Sequence, residues 1–301
     1  MSVADGAAGR SPSGPIPPAK LEALLNESLT KPSAGRVYDY YLGGNSNWAI
    51  DRAFAQEQIR QWPDTPWLIR QNRKFLGRAV RYLLRQGIRQ FVDIGSGLPT
   101  EGNVHEIAEQ VAPGEARVVY IDHDPVAHAH SSLLLERTGD PLRHHTLLAD
   151  LLDAKRLWRG VLDTGAIDPN EPVGLLLVAV VHLIPDSARP GRAVSYYRDV
   201  LKPGSFLALS HGTTDGLDTG EKAQLAKVQK NYDAKATNPL LGRTREEILS
   251  LFGDWELMPP GLVWTPEWTD GVEVEPARGD IEPARSRMLA GIARKRRSRL
   301  R

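Results

Sequence analysis

The chain has 301 residues, 41% hydrophobic and 25% charged, enough to bury a sizeable core and unlike disordered, collagen-like or membrane-spanning compositions. It contains no cysteine, which excludes disulfide frameworks, thiolate metal sites, iron–sulfur clusters and every mechanism built on a cysteine nucleophile. Lys and Arg total 38 against 37 Asp and Glu, a formal net charge of +1, so no global field draws the chain to nucleic acid or an acidic membrane.

Residues 1–30 are expected to form a flexible leader, because as far as about residue 19 they are rich in Gly, Pro, Ser and Ala without periodicity. No basic start leads into an apolar stretch, so the segment does not read as a secretory signal and the expected location is cytoplasmic. Residues 31–88 predict a helical cap or lid, with helices at 36–42, stopped by Gly43 and Gly44, then 50–61 and 67–85. From there to residue 295 short apolar runs alternate with amphipathic stretches, the pattern of βαβ units around a parallel sheet. Strands are predicted at 91–94, 118–121, 144–148, 174–181 and 206–210, with helices at 104–110, 126–137, 154–162 and 192–201 between them. The run 174–181 is the longest apolar stretch, too short to span a membrane, and its lack of alternation suits a central strand covered on both faces. Helices at 221–236 and 244–252 and a last strand at 288–293 follow, and the charge run from Arg294 to Arg301, which includes Lys295, reads as solvated, with 296–301 as the basic tail.

The first strand runs through Asp93 into Gly95, Ser96 and Gly97, a glycine turn at the carboxyl edge of the sheet, where open α/β folds bind ligands. A diphosphate turn carries a third glycine, but here the chain reads Pro99, Thr100 and Glu101, whose carboxylate would repel phosphate. Asp93 suits an ammonium group instead. Asp122, ending the second strand next to His123, suits two ribose hydroxyls, and Asp150 with Leu151 after the third suits an adenine amine and ring. Each feature alone is commonly a turn or a helix cap. Together they specify amino acid, ribose and adenine without phosphates, which is S-adenosylmethionine.

The block Arg36, Val37, Tyr38, Asp39, Tyr40, Tyr41, Leu42, Gly43 and Gly44, continued by Asn47, Asp51, Arg52 and residues 72–77, is more specific than the glycine turn. With residues 93–97, 122–125 and 290–295 it resembles the actinobacterial S-adenosyl methyltransferase family, formerly a domain of unknown function, within the class I Rossmann-type methyltransferases. The resemblance covers nearly the whole chain from residue 33. It implies a mostly parallel seven-stranded sheet whose final strand is antiparallel, S-adenosylmethionine as cofactor, and a methyl acceptor that the family does not name.

The residues narrow the chemistry further. After the fourth strand stand Val181, His182, Leu183, Ile184 and Pro185 in place of the Asp/Asn-Pro-Pro-aromatic sequence of DNA amino methyltransferases, so nucleic acid is an improbable acceptor. The covalent route to cytosine C5 needs the missing cysteine. Metal-assisted catechol methylation needs carboxylates where His182, Ser210 and His211 stand, and the histidines at 123, 128, 130, 144 and 145 lack completing acids, so no metal is expected. There remains transfer to oxygen or nitrogen of a small molecule, with His182 as a candidate base and Tyr38, Asp39, Tyr40 and Asn47 as candidate substrate-contacting lid residues. Trp255, Trp264 and Trp268 read as packing residues. The alternatives are a non-catalytic S-adenosylmethionine-binding regulator and, more remotely, a nicotinamide-dependent oxidoreductase. Oligomeric state is not legible.

Overall fold

The computed structural model describes residues 18–100, 102–271 and 281–296; Glu101, the leader as far as residue 17 and the tail 297–301 lie outside the described residues. Five parallel strands, β1 (Gln90–Ile94), β2 (Arg117–Asp122), β3 (His144–Leu148), β4 (Gly174–Val178) and β5 (Phe206–Gly212), are followed by antiparallel segments β6 (Glu256–Leu257), β7 (Val263–Trp264) and β8 (Met288–Arg294). The order is β3-β2-β1-β4-β5-β8, and β6 and β7 share the outer edge of β8. The expected seven sheet positions are therefore filled, the last by two short pieces. The chain reverses direction across the sheet between β1 and β4, so a crevice opens at their carboxyl ends.

Ten helices are described: α1 (Pro18–Thr30), α2 (Ala34–Leu42), α3 (Ala49–Gln61), α4 (Thr65–Arg85), α5 (Val104–Val111), α6 (Pro125–Thr138), α7 (Ala154–Asp163), α8 (Pro190–Val200), α9 (Thr219–Lys235) and α10 (Arg245–Phe252). Successive strand side chains go to opposite faces. Val92, Val119, Leu175 and Leu207 pack under α7, α8 and α10, whereas Phe91, Val118, Leu176 and Phe206 pack under α4 and α5. This double cover explains why the fourth strand is apolar at consecutive positions. A smaller cluster joins Val37 and Tyr41 of α2 and Phe54 of α3 to Val228 and Tyr232 of α9.

Some expectations need correction. The leader expected through residue 30 is helical from Pro18, because the buried Ser28 is bonded to both Arg36 and Asp124. The cap expected to end at residue 88 does not stand apart, since Phe75, Ala79 and Leu83 of α4 cover the sheet. The fourth strand ends at Val178, because Ala179 turns into the left-handed region (φ 57°) and a 3₁₀ turn over Val181–Leu183 follows. Lys295, read as part of the solvated charge run, donates to the carbonyls of Arg198, Asp199 and Leu201 and so closes the end of α8. Trp255 and Trp268 are core residues; the Trp268 ring meets Phe75 and Tyr82 edge-on.

Candidate active site

The site is built first from the loop after β1. The amides of Gly95 and Ser96 both donate to the Ile121 carbonyl (2.7 and 3.1 Å), which folds the loop back over β2. Gly95 has φ +75°, and a Cβ there would lie 2.3 Å from a methyl of Val180, so only glycine fits beneath the β4 loop. The next turn of the loop carries Gly97, whose amide donates to Asp122 Oδ2 (2.8 Å), while the Asp124 amide donates to Asp122 Oδ1 (2.9 Å). Two fixed donors thereby orient the Asp122 carboxylate at the end of β2.

Asp93, Gly95, Ser96, Gly97, Asp122 and His123 line one cavity together with Arg73 of α4. Burial pushes the Asp93 carboxyl up to about 7 against the influence of the Arg73 guanidinium, and the Asp122 carboxylate adds to the rise. Burial acts on Asp122 too, but hydrogen bonds from His123, Asp124 and Gly97 outweigh it and hold that carboxyl below its ordinary value. His123, 47% exposed, lies 3.4 Å from Asp122 Oδ1, and this carboxylate, against partial burial, raises its pKa. The cavity thus offers a buried carboxyl, a guanidinium beside it and an oriented carboxylate farther along. That donor set fits the ammonium, carboxylate and ribose of S-adenosylmethionine, and its two carboxyl groups disfavour a diphosphate. Arg73 lies in the 72–77 block, but nothing in the sequence alone placed it beside Asp93.

A second cavity adjoins the first, and Ala34, Tyr38, Ala179 and Leu183 line both. A buried relay holds this shared wall. Asn72 donates to the Tyr38 hydroxyl (2.9 Å) and accepts from Ser210 Oγ (2.6 Å), which in turn accepts from the Ala179 amide (3.0 Å). The left-handed Ala179 is thereby fixed where a strained backbone would otherwise relax. Apart from Tyr38, His182 and Thr213, the second cavity is walled mainly by aliphatic and aromatic side chains.

His182 lies in this wall, in the predicted place after β4. Burial, with the Arg243 charge, lowers its pKa to about 4, so the ring is neutral near pH 7. The Gly212 amide donates to its Nδ1 (3.3 Å), which puts the ring proton on Nε2. In that tautomer the ring offers a donor, which is a correction to its expected role as a base. Arg243 clamps the segment: it donates to the Val181 and Ile184 carbonyls and to Asp186, and to the neutral His211 ring (2.5 Å). No sequence signal pointed to Arg243.

Other predicted residues fall elsewhere. Asp150 accepts from the Leu152 amide (2.9 Å) at the turn into α7 and acts electrostatically on His123, Leu151 is buried in the core, and neither lines either of these two cavities. Of the expected lid residues only Tyr38 reaches the site. Asp39 is buried and accepts from Asn47 Nδ2 (2.7 Å), while Tyr40 accepts from Gln56 (3.2 Å). A Cβ on Gly44 would meet Asp39 Oδ1 at 2.0 Å, so Asp39, Gly44 and Asn47 serve the turn after α2. Among the described residues no group of three His, Asp or Glu is arranged for a metal, and no helix is long and apolar enough to cross a membrane.

A doubly covered sheet reversing between β1 and β4, with a glycine turn and carboxylates at the ends of β1 and β2, defines a class I S-adenosylmethionine-binding fold. Residues 24–296 match the family model described as S-adenosyl methyltransferase, and the chain belongs to that family. A candidate methyltransferase from Thermobifida fusca is 36% identical, with 93% of this chain and 99% of that chain covered and a TM-score of 0.79. A DUF574 family protein from Streptomyces avermitilis is 33% identical over 90% of this chain and 99% of its own, with a TM-score of 0.78. An O-methyltransferase family protein from Burkholderia thailandensis shares the fold at 13% identity, 93% and 69% coverage and a TM-score of 0.50. A comparison with curated proteins finds no match. Family membership makes S-adenosylmethionine the cofactor, and the nicotinamide alternative falls.

Proposed function

We propose that the protein transfers a methyl group to an oxygen or nitrogen of a small, uncharged acceptor held in the second cavity. The observation that carries this reading is the continuity of the two cavities at Tyr38, Ala179 and Leu183, which brings a polar cofactor cradle against an apolar chamber. Asp93 would hold the cofactor's ammonium, Arg73 its carboxylate and Asp122 its ribose hydroxyls. When bound, the cofactor supplies an electrophilic methyl carbon, which the acceptor's lone pair takes as the carbon–sulfur bond breaks onto sulfur. Alignment of the acceptor supplies most of the rate enhancement in such an in-line displacement. His182, donating through Nε2, would orient the acceptor atom, and the acceptor's proton would pass to water as the methyl group is transferred.

The test is incubation of the protein with methyl-labelled S-adenosylmethionine and small-molecule extracts of actinobacterial cells. A labelled low-molecular-weight product is expected. Tight cofactor binding with no product across a broad panel of extracts would overturn catalysis and favour a non-catalytic regulator.

A further inference from the structure

The acceptor chamber is mainly apolar, and among its described polar wall residues Gln58 is the one whose side chain leaves both a nitrogen and an oxygen unpaired. Gln58 of α3 lines it among Tyr41, Trp62, Ile69 and Tyr232, is 2% exposed, and has no hydrogen-bond partner for either its Nε2 or its Oε1. A buried carboxamide left unpaired at both ends carries an uncompensated desolvation cost, so its presence here needs a reason. Packing does not supply one, since leucine would fill a comparable volume without the cost. The only charged side chain among the described lining residues is Arg287, and it is already paired with Glu221 and lies over the Trp62 ring. The chamber therefore has no unmatched charge for an ionic acceptor.

We infer that Gln58 is a specificity-determining residue and that the acceptor is a flat, uncharged, largely apolar molecule carrying an amide-type group, a donor and an acceptor side by side, remote from the methylated atom. A carboxamide satisfies such a group with two antiparallel hydrogen bonds, Nε2 to its carbonyl and its N–H to Oε1. The aromatic walls suit a planar body. An acceptor lacking the group leaves Gln58 unpaired and is rejected for that reason. This inference rests on the reading that the second cavity holds the acceptor.

The test compares three bicyclic phenols: 7-hydroxyquinolin-2-one, which carries a lactam, 7-hydroxycoumarin, which keeps the carbonyl but lacks the N–H, and 2-naphthol, which has neither. Binding to the full chain saturated with S-adenosylhomocysteine is followed by calorimetry, and methyl transfer from labelled S-adenosylmethionine is measured in parallel. The lactam is expected to bind at least about tenfold more tightly than the naphthol, with the coumarin between them. Gln58→Leu is expected to abolish that ranking, with a thermal melt reporting whether the variant is folded. Equal binding of the three probes by the unaltered protein, binding of none of them, or a folded Gln58→Leu variant that keeps the ranking would each overturn the inference. Failure to bind S-adenosylhomocysteine, or ranked binding without any transfer, would instead count against the functional reading.

Discussion

Asp93 and Asp122 stand at the ends of neighbouring strands, yet their surroundings push their carboxyls in opposite directions. Asp122 already accepts from two backbone amides and is ionised across the physiological range, ready for further donors. Asp122→Ala is expected to weaken cofactor binding by roughly 1–3 kcal/mol, measured calorimetrically. Asp93, held up to about 7, must be ionised to take an ammonium group, so affinity should fall as the pH drops below about 7. Asp93→Asn should bind weakly and remove that dependence; a pH-independent affinity in the unaltered protein would refute the assignment of the ammonium. His182→Gln, which retains a side-chain N–H, should preserve much more activity than His182→Ala once an acceptor is known. A base would be lost equally in both.

At the scale of elements, the N-terminal helices are joined to the β2 end of the sheet by one buried network. Arg36 bonds to Asp51 (2.7 Å), Ser28 and the Lys31 carbonyl and lies over the Trp48 ring, and Ser28 and Ser33 both donate to Asp124. Asp124 caps α6 and follows directly on the Asp122 turn, so the same contacts that seat α1 and α2 also support the ribose end of the cofactor cavity. Asp51→Ala leaves the Arg36 guanidinium buried without its carboxylate and should cost about 3–5 kcal/mol in denaturant melts. The family-specific block is legible here in a way its role was not. Arg36, Asp39 and Asn47 are readable as a motif, but Arg36 meets Asp51, 15 positions on, and Asn47 meets Asp39, 8 positions back, and only folding shows that these contacts brace the N-terminal helices.

For the whole molecule, several buried titratable groups combine. Burial lowers His144 and His182 to about 4 and holds His211 well below its ordinary value, so each imidazole binds a proton more readily in the unfolded chain as the pH falls below 6.5. Their contribution to stability is present above that value and lost toward pH 4. Asp93 acts oppositely, since its raised folded-state value favours the native state as it protonates below about 7. Burial lowers His105 and His128 as well, and five imidazoles against one carboxyl leave a net loss, so the ligand-free protein should lose stability steadily from pH 6.5 to 4. Urea melts across that range check this, and a rising midpoint would contradict it.

The amino-acid sequence by itself determined the alternation of strands and helices, the glycine turn, the acidic strand ends at β1 and β2 and hence the cofactor, because these depend on local periodicity and on residue types at strand termini. Tertiary structure decided what stands opposite those residues. Asp150 resembles Asp122 in the sequence, but it stands at the turn into α7 outside the two cavities; Arg73 and Gln58 line them only because α4 and α3 pack there, and Arg243 braces the His182 segment from the stretch before α10. A side chain's direction and its partners depend on contacts between distant segments, which spacing along one chain does not encode.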